Sequence, residues 1–525
     1  MMIIKKGIAA CCLVLCSSFS SPLVSASESK VAHFEFANSC GAAVKGEFNR
    51  GVRLLHSFEY PETSKIFAAI IKQEPTCAMA YWGAAMSIWH PLWAPPKREH
   101  LEAGARLLKV AQGLEATARE KAYLGALSSF FSSSDARTNR PRARIYAGKM
   151  YGIHTEYGAG DVDATVFYAL SLLGSADPLD KTYQNQHKSG ALLKMVQQAR
   201  PQHPGVLHYR IHSYDFPGLA HLALDDAKQY AAAATDSAHA QHMPSHIFTR
   251  LGMWDLSLAS NHDSVKSAAQ YTKRAHLKKH YDEGLHSMDY LMYAMLQTGR
   301  DAEARQLLDQ LSEIGKNTPE NFKAAFTYAS SYARYTLERR DWKEASEITL
   351  SIADFPWEKF PWAESIHHFA RGIGAARSGQ LEQAKVELAT IEALQKQLSE
   401  TAPLYWRVEV QVQADVVASW ILLLEGKTEA ALKLAAAAAA NEDRVDKHPV
   451  TPGEVMPARE LYADMLTEVG HYPSALAQYQ AVLKGSPNRL NALRGIVATA
   501  KAVGDKKMSD DFAAKILRQT KTTAE

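Results

Sequence analysis

The sequence predicts an all-α chain, a solenoid of antiparallel helix hairpins wound into a right-handed superhelix. Three observations predict it. Apolar residues recur at spacings of three and four almost throughout, Ala is abundant, and strand periodicity is nearly absent. A Gly followed five positions later by a small residue keeps returning: Gly252 and Ser257, Gly299 and Ala304, Gly379 and Ala384, Gly426 and Ala431, Gly470 and Ala475, with Arg340 and Ala345 as a copy lacking the Gly. Each Gly ends one helix in a left-handed cap, and each small residue lets the next helix pack closely on the first. Stacked hairpins of this kind bury a continuous core and leave a groove.

Taken from the start, the chain opens on a targeting segment. Lys5 and Lys6 are followed by an apolar run, Gly7 to Phe19, too short to span a bilayer. Val24-Ser25-Ala26 offers small residues for cleavage, so residues 1–26 are read as a signal peptide and 27–525 as one continuous helical-repeat domain. Ile8-Ala9-Ala10-Cys11 resembles a lipoprotein box, but the apolar run continues past Cys11. The expected location is the periplasm or the medium, with no transmembrane segment in the mature chain. Cys40 and Cys77 are the cysteines left after cleavage, and in an oxidising compartment they are expected to pair across the N-terminal hairpin. The net charge of +3 falls to about +1 without Lys5 and Lys6, which argues against a nucleic-acid partner.

Residues 44–112 carry N-terminal repeats, 113–300 a His-rich middle and 320–520 C-terminal repeats. Gly51, Leu54, Phe67, Ile70 and Pro75 mark the first repeat. Glu115 to Phe131 and Arg142 to Thr155 read as a helix and its partner. The clearest copy is the last: Tyr462, Ala463 and Leu466, a turn at Gly470, then Ala475, Tyr479, Val482 and a stop at Pro487. This copy resembles the tetratricopeptide repeat, although the turns lie roughly 40 to 47 residues apart against about 34 in the standard unit. The segments 77–83 (CAMAYWG), 242–247 (HMPSHI) and 457–461 (PAREL) are similar to a group of secreted bacterial tetratricopeptide-like proteins. That resemblance implies architecture and export, and it brings no activity with it.

In tetratricopeptide-like hairpins the first helix lines the groove, through positions about two, six, ten and thirteen residues before the turn. Before Gly252 these are Arg250, His246 and His242; before Gly299, Tyr293, Asp289 and His286 fall six, ten and thirteen back. His56 and His90 lie two before turn-equivalent positions, and His208 and His212 fall on or beside the stripe of their own hairpin. His208/His212 and His242/His246 have the i, i+4 spacing of a two-ligand set. Pro244 belongs in a first helical turn, which puts His242 just outside the helix and free to point elsewhere.

The stripe supports three readings. In the first, His208, His212, His242, His246 and His286 hold a transition metal (Zn, Cu or Fe), with Asp289 as ligand or orienter. In the second, a polar groove hydrogen-bonds a protein, a peptide or a small anionic ligand, with Arg250 as the anchor and Tyr293, His56 and His90 lining it. In the third, the histidines satisfy hydrogen bonds between helices. Ligand binding, with a metal favoured, is the leading expectation; an interaction scaffold and a metal-dependent enzyme are the alternatives. The chain has no phosphate-binding Gly loop, no nucleophile elbow and no His-Glu-x-x-His motif.

Overall fold

The left-handed turns form where the Gly pattern places them. Gly252, Gly299, Gly379, Gly426 and Gly470 have φ of 63°, 73°, 77°, 77° and 81°, and Arg340, the copy without Gly, still adopts φ 57°. The partner residues Ser257, Ala304, Ala345, Ala384, Ala431 and Ala475 have no exposed surface. At Gly252 a Cβ would also meet the Pro487 carbonyl oxygen at 2.2 Å, so both the turn and a close approach require Gly there.

The computed structural model describes residues 34–521, apart from 94, 234–236, 351, 353 and 399–401. The signal-peptide reading lies outside the described residues. Among the described residues there is no strand, and no helix is long and apolar enough to cross a membrane. The chain is an all-α, tetratricopeptide-like solenoid. First helices stack on first helices: Asp282–Gln297 on Phe322–Glu338, then Pro361–Arg377, Leu404–Leu424, Ala458–Glu468 and Leu490–Ala502. Second helices such as Trp254–Arg274 and Leu381–Gln397 pack outside them. The helix expected over 115–131 spans Ala118–Phe130 and its partner Asn139–Tyr157. A disulfide joins Cys40 to Cys77 with their Cα atoms 4.9 Å apart.

The superhelix closes on itself. Trp254 donates its indole N–H to the Asn488 carbonyl, and Asn488 donates its amide to the Gly252 carbonyl. Arg489 is buried against Glu338 and Glu460, and Asn491 donates to Glu338. Residues 443–457, between the helices Thr428–Glu442 and Ala458–Glu468, run across the interior. There Arg334 donates to the carbonyls of Gly453 and Glu454, and Lys447 pairs with Asp215. The surface expected to be a groove is therefore a filled interior.

Candidate metal centre

Six histidines from four helices meet in that interior. Helix Pro204–Tyr214 supplies His208 and His212, and Ala238–His242 supplies His239 and His242. Pro244–Arg250 supplies His246, and Asp282–Gln297 supplies His286. They fall into two sets, His208/His212/His239 and His242/His246/His286, within each of which the candidate ligand atoms lie within 4.8 Å of one another. All six side chains are buried.

The local sequence explains the aim of these rings. Met243, between the two short helices, has helical torsions (φ −52°, ψ −38°), so Pro244 removes one N–H without turning the chain aside. His239, His242 and His246 therefore stay on one face at i, i+3 and i+7. The expectation that Pro244 leaves His242 free to point elsewhere is corrected: its Nε2 is 2.9 Å from that of His246.

Outer partners fix the protons. His208 Nδ1 lies 2.6 Å from the His56 carbonyl oxygen, and His239 Nδ1 lies 3.2 Å from a Glu283 carboxylate oxygen. His242 Nδ1 is 2.7 Å from Asn261 Oδ1, and His246 Nδ1 is 2.9 Å from Asp215 Oδ2. These oxygens only accept, so each ring carries its proton on Nδ1 and a bare lone pair on Nε2. Yet His208 Nε2 faces His239 Nε2 at 3.1 Å with both protons held outside, and His212 Nε2 lies 3.1 Å from the same His208 nitrogen. Facing lone pairs at that distance repel unless a cation lies between them. Two nitrogens on one tetrahedral ion, each ~2.0–2.1 Å from it, sit ~3.3–3.4 Å apart, close to these spacings.

Burial, reinforced by neighbouring imidazoles, holds His212, His239, His242 and His286 well below the ordinary imidazole range. His208 is pushed down to about 3, chiefly by burial. His246 is also lowered by burial, with Asp215 opposing. Neutral imidazole is the metal-binding form.

The remaining expected residues scatter. Asp289 is buried but faces the next hairpin, where Ser330 donates to it at 2.6 Å; burial raises its carboxyl to about 6. Tyr293 accepts from Arg489. Arg250 donates to Asp215 at 3.1 Å, and Lys447 reaches the same carboxylate at 2.7 Å, so its guanidinium supports the outer layer of the second set. His90 is half-buried, its ring centroid 4.2 Å from that of Tyr60. His56 belongs to a separate cluster with Asp163 and His203.

The sequence reading omitted His239, although the thirteen-residue step that picks out His286 before Gly299 also lands on His239 before Gly252. It also omitted Tyr290, whose hydroxyl lies 3.2 Å from His246 Nδ1 and donates to the Thr451 carbonyl. Asp215, Asn261, Glu283 and Lys447 carried no sequence signal, because each reaches its partner in the site from a different helix or loop.

No family model matches the chain, and no curated protein matches it. Among solved structures it is similar to the human IFIT1 dimer with m7Gppp-AAAA, at 13% identity, 89% of this chain, 95% of that chain and a TM-score of 0.39. A second similar structure is the P58(IPK) TPR domain, at 12% identity, 89% of this chain, 99% of that chain and a TM-score of 0.22.

Proposed function

We propose that this protein binds transition-metal ions at the two three-histidine sets. The observation that carries the reading is the meeting of bare Nε2 lone pairs inside each set, while acceptors outside hold the Nδ1 protons. Acceptors behind the ligating rings are the usual outer layer of histidine metal sites, where they fix the tautomer and raise ligand basicity. Three neutral imidazoles suit Zn, Cu, Fe or Ni, and a set of three protein ligands leaves a position open for water or substrate. Asp289 has no part in this reading. The periplasm or medium is the proposed location; the disulfide and the absence, among the described residues, of a membrane-crossing helix support it.

Elemental analysis of the purified full chain, offered Cu, Zn and Fe, tests this. Two ions per chain are expected. His212→Ala and His246→Ala, each checked for folding by circular dichroism, are expected to keep about one. Near-zero metal in the unsubstituted chain overturns the reading.

A further inference from the structure

The boundary between the two sets is nearly as narrow as the widest spacing inside one. The ring centroids of His212 and His246 are 6.0 Å apart and those of His239 and His242 are 6.5 Å apart, one pair from each set. Within the second set the centroids span 4.1 to 6.1 Å. One backbone segment, 239–246, supplies ligands to both. The two sets of imidazoles thus adjoin, near enough for two bound ions to pair as in two-metal sites with ions ~3.5–4 Å apart.

The surrounding charge selects among metals. All six candidate ligands are neutral, and none of the set members is a carboxylate. The nearby carboxylates are already committed: Asp215 to Arg250 and Lys447, Glu283 to Lys323. Two divalent ions would bring four positive charges into a buried volume without spare anions, at a heavy desolvation cost. Two Cu(I) ions bring half that charge, and imidazole is a good copper ligand.

A pocket of about 90 Å³ reaches the His212 ring, with Asp215, Lys447, Phe216, Leu92 and Pro449 in its wall. Phe216, Leu92 and Pro449 are only half-buried, so the pocket connects the ring to the surface. At ~30 Å³ for one water, it admits only a small molecule.

We propose that the two sets form one dinuclear copper centre that binds dioxygen between its ions. The idea rests on the metal reading above and adds the pairing, the metal and the ligand. Each Cu(I) gives one electron; dioxygen takes both and becomes a bridging peroxide dianion, with the O–O single bond intact and no proton moved. The ions rise from two positive charges to four, the peroxide brings two negative charges, and the net charge of the buried volume is unchanged.

The test is to load the full chain anaerobically with Cu(I), count copper, admit dioxygen, and record absorption and electron paramagnetic resonance. Expected are two coppers per chain, one dioxygen taken up per copper pair and a new near-ultraviolet band that is lost on evacuation or reduction. The spin signal should stay below about a tenth of the copper present, because the two Cu(II) spins cancel through the bridge. His212→Ala, and His286→Gln as a milder change, are expected to keep about one copper and lose the band. Two coppers that integrate to two independent spins, or a band that survives in either variant, overturn the dinuclear proposal and leave metal binding standing. Failure of the unsubstituted chain to retain any copper overturns the proposal, and if zinc and iron are also refused, the metal reading falls with it.

Discussion

Two kinds of histidine cluster in the same interior resolve their nitrogens in opposite ways. In the cluster of His56, Asp163 and His203, both rings point Nε2 at one carboxylate oxygen, at 2.9 and 3.2 Å. Their Nδ1 atoms accept, His56 from the Tyr209 hydroxyl and His203 from the Gly205 N–H. Each nitrogen then has a complement, and no cation is needed. In each three-histidine set two rings have their acceptors outside and their lone pairs meeting inside. In all three clusters the candidate ligand atoms lie within 4.8 Å of one another, two of them all-histidine and one with Asp163 in the middle. The placement of the acceptor, at the centre or behind the rings, separates a hydrogen-bond network from a metal site.

The largest effect expected to sharpen this comparison is in metal content. Combining His208→Ala with His242→Ala is expected to lower bound metal from two ions per chain to none, whereas His203→Ala leaves two. A third ion bound by the unsubstituted chain, lost with His203→Ala, would break the distinction.

Next comes the outer layer. Asn261→Leu removes the acceptor behind His242 while nearly preserving volume, and it is expected to weaken metal binding in the second set by ~10–100-fold. A competition titration against a chelator reads this, with His208 and its neighbours as the unaffected internal reference.

Smaller effects belong to the Asp163 cluster. His203→Ala leaves the Gly205 N–H without its acceptor and Asp163 short of one donor, at an expected cost of ~1–3 kcal/mol in a urea titration, with metal content unchanged.

The last effect is in acid. Burial pushes the Asp163 carboxyl up, but hydrogen bonds from His203 and His56 more than offset it and hold the group below the usual carboxylate range. A depressed folded-state value contributes stability that is present above the unfolded value of about 3.9 and lost as pH falls through the lower folded value. In that window the unfolded chain binds more protons, so stability rises with pH. Asp163→Asn is expected to flatten the urea midpoint against pH below about pH 4, relative to the unsubstituted chain. An unchanged acid limb would show that Asp163 is not the group that gives the cluster its stability.

Much of the site was legible before any coordinate. The stripe counted back from Gly252 and Gly299 picks out His246, His242 and His286, and the same count contains His239. The i, i+4 spacing gives the pair His208 and His212. Asp289 sits on the same stripe and faces Ser330, because the helix Phe322–Glu338 of the following hairpin covers that part of Asp282–Gln297. Arg250 likewise meets Asp215 before any ligand does, since an unpaired guanidinium at that depth would be costly. Tyr290 could not be singled out: its role depends on the Thr451 carbonyl, 161 positions away in the chain.

The amino-acid order by itself determined the helices, the left-handed turns down to Arg340, the close-packed small residues and the ladder of inward histidines. Each of these depends on torsion angles and side-chain size within a few residues. The tertiary structure alone decided that the coil closes, that residues 443–457 cross the interior, and that two rows of imidazoles come side by side. Closure is the sum of small rotations over every hairpin, and a quantity accumulated along the whole solenoid is not written in any one repeat.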